Sequence, residues 1–130
     1  MEPAVLIADD EMHILLLIEQ SIEELEDEGV EILTANNGED ALDTARRRHP
    51  DVIILDVMMP KLNGFEVCEA IRQDASIADT HIILLTAKGQ EYDRRRGEEV
   101  GANRYVTKPF NPDELLALVR GALGLDGDTP

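Results

Sequence analysis

The segment Val52-Ile-Ile-Leu-Asp-Val-Met-Met-Pro-Lys-Leu-Asn-Gly64 decides the fold. Its first four residues are all branched and apolar, without the alternation of polar residues that marks a strand with one solvent-exposed face. Such a continuous run is typical of a strand in a parallel sheet that is covered on both faces. Asp56 ends the run, and Pro60 and Gly64 then indicate a loop. The segment therefore predicts a central strand with a carboxylate at its carboxyl end.

Further short apolar runs lie on either side of this one, and segments of helical spacing separate them. The predicted strands are Val5–Ala8, Glu31–Ala35, Val52–Leu55, Ile82–Leu85 and Arg104–Thr107. The charged first residue of the second run favours an edge position for that strand. The first helix has apolar residues at steps of four and three, at Ile14, Ile18, Ile22 and Leu25, whereas the fourth is weak in apolar residues. This alternation predicts an α/β protein with one parallel sheet and right-handed crossovers.

Length and composition predict a single globular domain of 130 residues. The residues are 43% hydrophobic and 31% charged, which excludes a disordered chain. No apolar run approaches the roughly 20 residues needed to cross a bilayer, and no basic segment of a signal peptide opens the sequence. Cys68 is the only cysteine, which excludes an internal disulfide and fits a reducing compartment. We therefore expect a cytoplasmic location.

The net charge of −16 arises from 28 acidic and 12 basic residues. Residues 1–45 contain 14 of the acidic residues and no lysine or arginine. This excess disfavours general binding to nucleic-acid backbones. We interpret it mainly as a solvated acidic face that aids solubility, with the repulsion of unsuitable partners as the alternative.

Polar residues end four of the five predicted strands. Asp9 and Asp10 follow the first strand, Asp56 the third, Thr86 the fourth and Lys108 the fifth. In a parallel sheet these strand ends share one edge, where the ligand sites of open α/β sheets lie. Three close carboxylates repel one another unless cations neutralise them. Lys108 supplies one positive charge, and Mg²⁺, which prefers oxygen ligands, is the expected source of the rest.

The chemistry that fits this pocket is phosphoryl transfer to a carboxylate. Asp56 is the candidate nucleophile because it ends the most buried strand, and Asp9 and Asp10 are then metal holders. Mg²⁺, Lys108 and the Thr86 hydroxyl would each bind one phosphoryl oxygen. Taken singly, each residue has an ordinary structural explanation, such as a helix cap for Asp10 or an ion pair for Lys108. Their convergence favours a phosphoryl acceptor.

From Val5 to about Leu123, the chain resembles the receiver domain of two-component response regulators, the chemotaxis regulators among them. The acceptor aspartate, the threonine and the lysine are separated by 30 and then 22 residues, as in that family. Asn103 stands where the family commonly has aspartate. The positions that carry the resemblance are Asp9, Asp10, Asp56, Pro60, Gly64, Thr86, Ala87, Lys108, Pro109 and Phe110.

For the fold, the resemblance implies a single doubly wound (βα)5 sheet of the flavodoxin-like type with strand order 2-1-3-4-5. It also implies a cis peptide bond before Pro109. The receiver domain is expected to occupy residues 1–124. Residues 125–130 are expected to form a short tail or the start of a linker.

For the site, the resemblance implies that Asp56 accepts a phosphoryl group from the phosphohistidine of a sensor histidine kinase or phosphotransfer protein. Asp10, Asp56 and the backbone carbonyl of Met58 are the implied Mg²⁺ ligands, with Mn²⁺ as the alternative metal. Asp9 is implied to act mainly through a metal-bound water. Lys108 is implied to contact the phosphoryl group.

The resemblance also implies a switch. Thr86 would move toward the phosphoryl group and Tyr105 would rotate inward behind it, which alters the surface of the fourth helix, fifth strand and fifth helix. Met58 and Lys88 would flank the path of the hydrolytic water and so tune the phosphoryl lifetime. Because a methionine side chain offers that water no hydrogen bond, we hypothesise a lifetime that is moderate to long.

The predicted function is that of a signalling domain in a two-component phosphorelay, which catalyses only its own phosphorylation and dephosphorylation. Its expected partners are a kinase or phosphotransfer protein, for which an exposed Leu16 is a candidate contact, and a downstream target or fused output domain. A phosphorylation-dependent dimer is a further option, whereas direct contact with nucleic acid or membrane is not expected. The alternative is a phosphorylation-independent protein-binding module with the same fold. A dehalogenase-type phosphatase fits poorly, because it requires a second aspartate where Met58 stands.

Overall fold

Five strands alternate with five α-helices in the computed structural model, which describes residues 2–87 and 91–125. The alternation confirms the predicted α/β class. The strands are β1 Ala4–Ala8, β2 Glu31–Ala35, β3 Val52–Asp56, β4 His81–Ala87 and β5 Arg104–Lys108. The helices are α1 Met12–Ile22, α2 Gly38–Arg48, α3 Gly64–Gln73, α4 Glu91–Glu99 and α5 Pro112–Leu123.

The strands form one parallel sheet in the order β2-β1-β3-β4-β5, as the resemblance to receiver domains implied. In the centre of the sheet, Leu6 of β1 pairs with Leu33 on one side and Ile53 on the other. From β1 the chain adds β2 on one side of the sheet, and from β3 onward it adds strands on the other side. The strand order therefore reverses between β1 and β3. The carboxyl ends of these two strands therefore border the crevice where doubly wound folds bind ligands.

The apolar residues of β3 fill both layers of the core. Ile53 and Leu55 pack into the cluster beneath α2 and α3, whereas Val52 and Ile54 pack into the cluster beneath α1 and α5. Successive side chains of a strand point to opposite faces of the sheet, so a strand covered on both faces must be apolar at each position. Each such side chain contributes about 1.5–3 kcal/mol of burial free energy.

Three strands extend farther than their apolar runs. Asp56 of β3 pairs with Leu85 of β4 in the backbone ladder, and Thr86 of β4 pairs with Thr107 of β5. Backbone pairing does not depend on side-chain polarity, so it continues past the last apolar residue. Asp56, Thr86 and Lys108, predicted to follow their strands, are thus held within them, whereas Asp9 and Asp10 follow β1 as predicted.

The first helix ends earlier than its apolar spacing predicted. Its last residue is Ile22, and Leu25 lies instead in a 3₁₀ helix, Glu23–Glu28. Leu25 is nevertheless fully buried. Gly29 ends the 3₁₀ helix with a positive φ of 86°, a conformation that glycine adopts without a steric penalty.

The structure also bears on the state of Cys68 and on whether a helix could span a membrane. Cys68 is buried among apolar residues, and burial raises the pKa of its thiol to about 11, so the thiol stays protonated and unreactive. Across residues 2–87 and 91–125, each helix is too short or too polar to span a membrane.

Candidate functional site

The carboxyl edge of the sheet gathers three carboxylates, from Asp9, Asp10 and Asp56. One oxygen from each lies within 4.8 Å of the others. Asp9 is fully buried and Asp56 is 3% exposed, whereas Asp10 is open to solvent. The sequence predicted this convergence, since all three residues end or follow the central pair of strands.

Asp9 is held from two sides. Its backbone N–H donates to the Ala35 carbonyl at 3.2 Å, and its Oδ1 accepts from the backbone N–H of Glu11 at 2.9 Å. Its other carboxylate oxygen, Oδ2, is buried and has no hydrogen-bond partner among the residues that the structure describes. A buried carboxylate oxygen without a donor is costly, so this atom marks a place for a cation.

Lys108 brings the nearest positive charge to the carboxylates. Its Nζ lies 2.9 Å from Asp56 Oδ1 and 3.7 Å from Asp9 Oδ2. The lysine is the last residue of β5, and the peptide bond that joins it to Pro109 is cis. One ammonium group among three carboxylates leaves an excess of negative charge in the pocket.

The pKa values reflect this crowding. Burial raises the pKa of Asp56 to about 6; the hydrogen bond from Lys108 opposes the shift, and the charge of Asp9 adds to it. Burial also raises the pKa of Asp9, although the Glu11 N–H and the Lys108 charge oppose it. For Lys108, burial lowers the pKa, but the hydrogen bond to Asp56 and the nearby carboxylates outweigh it, so the net shift is upward. The lysine therefore remains charged.

This set of groups fits Mg²⁺. The donors are all oxygen atoms, the pocket retains negative charge, and one buried carboxylate oxygen accepts no hydrogen bond from the residues that the structure describes. Mg²⁺ in proteins takes one or two carboxylates and completes its shell with water and phosphate oxygens. Asp10 is exposed, so water and phosphate oxygens can reach the pocket on its side.

The loop after β3 is tied to its neighbours at both ends. The Val57 N–H donates to the Leu85 carbonyl, and the Gly64 N–H donates to the Val57 carbonyl, both at 2.9 Å. Within the loop, Lys61 has a positive φ of 71°. The Met58 side chain is 74% exposed and points away from the core. Lys88, the other predicted lifetime residue, lies outside the described residues.

The two predicted switch residues are in neighbouring strands. Thr86 is buried near the end of β4, and Tyr105 is half-buried on β5. The Tyr105 ring packs against the backbone of α4: a Cβ atom built on Gly97 would lie 3.0 Å from its Cδ2 and 3.2 Å from Leu84 Cδ1. A glycine at this place in α4 therefore leaves room for the ring.

Exposed apolar side chains lie beside the acidic pocket. Leu16 is 55% exposed, as expected from the sequence. Met12 and Leu17 on the same helix are also exposed, as is Met58 on the loop after β3. The exposed face of α1 thus adjoins the edge of the sheet that carries the carboxylates.

Sequence reasoning missed how the loop after β3 meets α2. Gly38, the first residue of α2, lies directly against the backbone of Leu62. The sequence holds one weak signal for this contact, the Asn-Gly pair before the helix. The two residues are 24 positions apart, so no local pattern links them.

Comparison with known proteins identifies the family. The family model described as the response regulator receiver domain matches residues 5–120. The chain therefore belongs to the receiver domain family of two-component response regulators. Its members are signalling domains, and the acidic cluster of receiver domains is generally a Mg²⁺ site.

Individual relatives agree with this assignment. The chain is 43% identical over 123 residues to the alkaline phosphatase synthesis transcriptional regulatory protein PhoP of Bacillus subtilis, covering 95% of this chain and 49% of that protein. It thus spans about half the length of the curated relatives it matches. A solved putative response regulator from Chloroflexus aurantiacus superposes with a TM-score of 0.86 at 34% identity, covering 95% and 99% of the two chains. The BeF3-activated receiver domain of DrrB, a Thermotoga maritima protein, gives a TM-score of 0.83 at 35% identity with the same coverage.

Proposed function

We propose that this chain accepts a phosphoryl group on Asp56 from a phosphohistidine of a sensor kinase or phosphotransfer protein. The observation that carries the proposal is the buried Asp56 carboxylate, in contact with Lys108 at 2.9 Å and grouped with two further carboxylates. A structural ion pair needs one carboxylate for one lysine. Here the surplus of negative charge needs another cation, which suits a site for metal and phosphate together.

In the proposed reaction, an Asp56 oxygen attacks the phosphorus atom while the bond from phosphorus to the histidine nitrogen breaks. The nitrogen keeps the bonding electrons and takes a proton from solvent. Lys108 holds one phosphoryl oxygen and Thr86 donates its hydroxyl to another. Asp10, Asp56 and the Met58 carbonyl would hold Mg²⁺, or Mn²⁺ in its place. When bound, the metal neutralises charge on the phosphoryl oxygens.

The experiment that tests this proposal is intact-mass spectrometry after incubation with acetyl phosphate and Mg²⁺. We expect one phosphoryl adduct that disappears in Asp56→Asn and without metal. Asp27→Asn, which alters an exposed carboxylate elsewhere, is the matched control and keeps the adduct.

The alternative function, a protein-binding module that works without phosphorylation, has a distinct outcome in the same experiment. A folded, metal-supplied protein that acquires no adduct from acetyl phosphate or from a cognate kinase supports the binding module. The chain would then use its fold only as a docking surface.

We further propose that phosphorylation changes the surface of α4, β5 and α5 through Thr86 and Tyr105, for a target protein or a fused output domain. Because BeF3 activates the related DrrB receiver domain, it is a suitable phosphoryl mimic here. The chain has two tyrosines, so Tyr92→Phe leaves Tyr105 as the sole reporter. We expect BeF3⁻ with Mg²⁺ to shift the NMR signals of the Tyr105 ring, and an unchanged spectrum at saturating BeF3⁻ argues against the switch.

The proposed kinase contact is the exposed face of α1. Leu16 and Met12 present apolar surface beside the acidic pocket, where a phosphohistidine-bearing helix must approach. Leu16→Ser is expected to slow phosphorylation by a kinase at least about tenfold through lost apolar contact and to leave acetyl phosphate labelling unchanged. If Leu16→Ser slows phosphorylation by the kinase and by acetyl phosphate equally, Leu16 has no role in docking the kinase.

The phosphoryl lifetime gives one more test of the site. We propose that Met58, and Lys88 by its position after Thr86, flank the hydrolytic water. Met58→Asn offers that water a hydrogen bond and is expected to speed loss of the phosphoryl group. An unchanged decay rate removes Met58 from the lifetime proposal.

We also propose that the receiver domain ends near Gly124 and works in the cytoplasm, as the single buried Cys68 suits a reducing compartment. Its chemistry is limited to its own phosphorylation and dephosphorylation.

A phosphorylation-dependent dimer is a further proposed output. Sedimentation of the protein with and without BeF3⁻ tests it directly.

A further inference from the structure

The start of α2 is in unusually close contact with the loop that follows the acceptor aspartate. A Cβ atom built on Gly38 would lie 1.9 Å from the carbonyl oxygen of Leu62, 2.6 Å from its carbonyl carbon and 2.7 Å from its Cβ. Contacts of a Cβ below 3.0 Å are essentially never observed. Any side chain at this position must therefore displace the loop or the helix by about 1 Å or more.

The loop in question leads directly from the acidic pocket. It begins after Asp56, and its far end is fixed by a capping box between Asn63 and Glu66. Gly64 makes a second close approach, since a Cβ there would lie 2.6 Å from the Asp56 carbonyl oxygen. The two ends of the loop are thus tied to β3 and α3, and the contact with Gly38 supports the middle.

The middle of the loop is the part with an unfavourable backbone. Lys61 has a φ of 71°, which residues with a side chain rarely adopt. Such a conformation persists when surrounding contacts determine it. Those contacts are the Leu62 N–H donating to the Pro60 carbonyl at 2.8 Å and the Gly38 N–H facing the same carbonyl at 3.4 Å.

We propose that Gly38 is a positioning residue for the metal and phosphoryl pocket. It lets the segment 60–62 lie against the start of α2, and so holds the loop after Asp56, with the Met58 carbonyl, in the conformation that binds Mg²⁺. This inference rests on the proposed function and adds a residue outside the acidic cluster to it. A displacement of about 1 Å at such a site is enough to weaken its chemistry strongly.

The effect on the pocket is separable from the effect on the helix. Alanine favours an α-helix more than glycine does. The cap of α2 does not depend on Gly38, since the Asn37 side chain accepts from the Asp40 N–H at 2.8 Å. Gly38→Ala therefore keeps the helix and moves the loop.

The test is calorimetric titration of metal-free protein with Mg²⁺. We expect Gly38→Ala to raise the Mg²⁺ dissociation constant about tenfold, as loss of a supporting contact does at metal sites. Gly97→Ala is the matched control on a different helix: the three atoms nearest to its new methyl group, at 3.0–3.2 Å, belong to the side chains of Tyr105 and Leu84. The control is expected to bind Mg²⁺ like the wild type.

A second measurement does not involve metal. In metal-free Gly38→Ala, the amide protons of Leu62 and Gly64 are expected to exchange with solvent faster than in the wild type, while those of β3 keep their protection. Leu62→Gly removes the Cβ that faces Gly38 from the loop side of the contact without adding atoms, and covers the case in which Gly38→Ala fails to fold. We expect it to raise the Mg²⁺ dissociation constant about threefold.

The outcomes separate the inference from the function on which it rests. A wild type that does not bind Mg²⁺ overturns the proposed function. A wild type that binds Mg²⁺, with folded variants that bind equally well and exchange equally slowly, overturns the role of Gly38. A lowered melting temperature with an unchanged dissociation constant leaves Gly38 a purely structural role and also overturns the proposal.

Discussion

Asp56 is the residue at which burial and chemistry conflict most directly. Its folded-state pKa of about 6 lies above the ordinary value of 3.8, so the folded protein binds this proton more tightly than the unfolded chain does. The stability that Asp56 contributes is therefore complete below about pH 4 and is lost as the pH rises through 6. The Asp56 carboxylate, when ionised in this buried site, therefore destabilises the metal-free protein.

This conflict predicts a pH-dependent effect of Asp56→Asn. At pH 8 and without metal, the variant is expected to be more stable than the wild type by up to about 3 kcal/mol, since two pKa units correspond to that difference. At pH 4 the two proteins are expected to be nearly equal. Urea denaturation at both pH values measures the difference, and an identical gain at pH 4 and pH 8 contradicts the explanation.

Replacing Lys108 is expected to change the Mg²⁺ affinity and the labelling by acetyl phosphate in opposite directions. Its ammonium lies 2.9 Å from Asp56 and competes for the negative charge that a metal needs. Lys108→Met is expected to bind Mg²⁺ about threefold to tenfold more tightly, because a nearby positive charge is removed, and to lose labelling by acetyl phosphate. Calorimetry and mass spectrometry measure the two effects. Lys108→Arg keeps the charge and is the control; tighter binding by it as well counts against the electrostatic account.

At the scale of the elements, α3 carries a side chain that joins three parts of the chain. The Arg72 guanidinium donates to the carbonyls of Gly101, Ala78 and Thr80 at 2.9, 2.8 and 2.6 Å, and to Asn103 Oδ1 at 2.7 Å. These acceptors belong to the turns before β4 and β5. One residue thus fixes where two strands begin.

Arg72→Ala is therefore expected to destabilise the protein by about 3 kcal/mol, since it leaves several partly buried acceptors without their donor. Chemical denaturation measures this loss. Arg95→Ala, at an exposed position of α4, is the control and is expected to change stability by less than about 0.5 kcal/mol. Equal effects of the two substitutions mean that the guanidinium contacts add nothing to stability.

The packing of Tyr105 on α4 also belongs to this scale. Gly97→Ala adds a methyl group 3.0 Å from the ring, so we expect its effect to depend on the ring. In a Tyr105→Ala background the same substitution is expected to stabilise the protein by up to about 1 kcal/mol, the helix preference of alanine over glycine. In the wild type it is expected to stabilise less or to destabilise. A double-mutant cycle measures the difference, and additivity contradicts the contact.

For the whole molecule, the dominant feature is the net charge of −16. Arg120 of α5 offsets part of it locally, by pairing with Glu24 and Glu28 of the 3₁₀ helix. Exposed ion pairs of this kind contribute little to stability, whereas the repulsion among the remaining acidic groups acts across the entire surface. Repulsion is therefore the larger effect.

This balance predicts that salt stabilises the protein. Raising NaCl from 20 to 500 mM at pH 8, without divalent metal, is expected to raise the melting temperature by several degrees, because salt screens the repulsion. Near pH 4.5, close to the sequence pI of about 4.3, the same salt series is expected to have little effect. A melting temperature that falls with salt at pH 8 means that ion pairs such as those of Arg120 dominate instead.

The sequence by itself determined the order of the elements and the edge at which the chemistry lies. The apolar run 52–55 identified a strand covered on both faces, because the side-chain period of a strand is local and survives in any tertiary context. The direction of parallel strands then brought Asp9, Asp56 and Lys108 to one edge. The exact ends of the strands were less accurate, because ladder pairing depends on the neighbouring strand.

The tertiary structure alone decided how the groups at that edge affect one another. Among the described residues, the Oδ2 of Asp9 has no hydrogen-bond donor; this and the raised pKa of Asp56 depend on burial by residues distant in the chain. The contact of Gly38 with Leu62 joins a helix and a loop that no local pattern relates. Periodicity and strand direction are encoded over a few residues, whereas burial, charge crowding and close backbone contact arise only when distant segments meet.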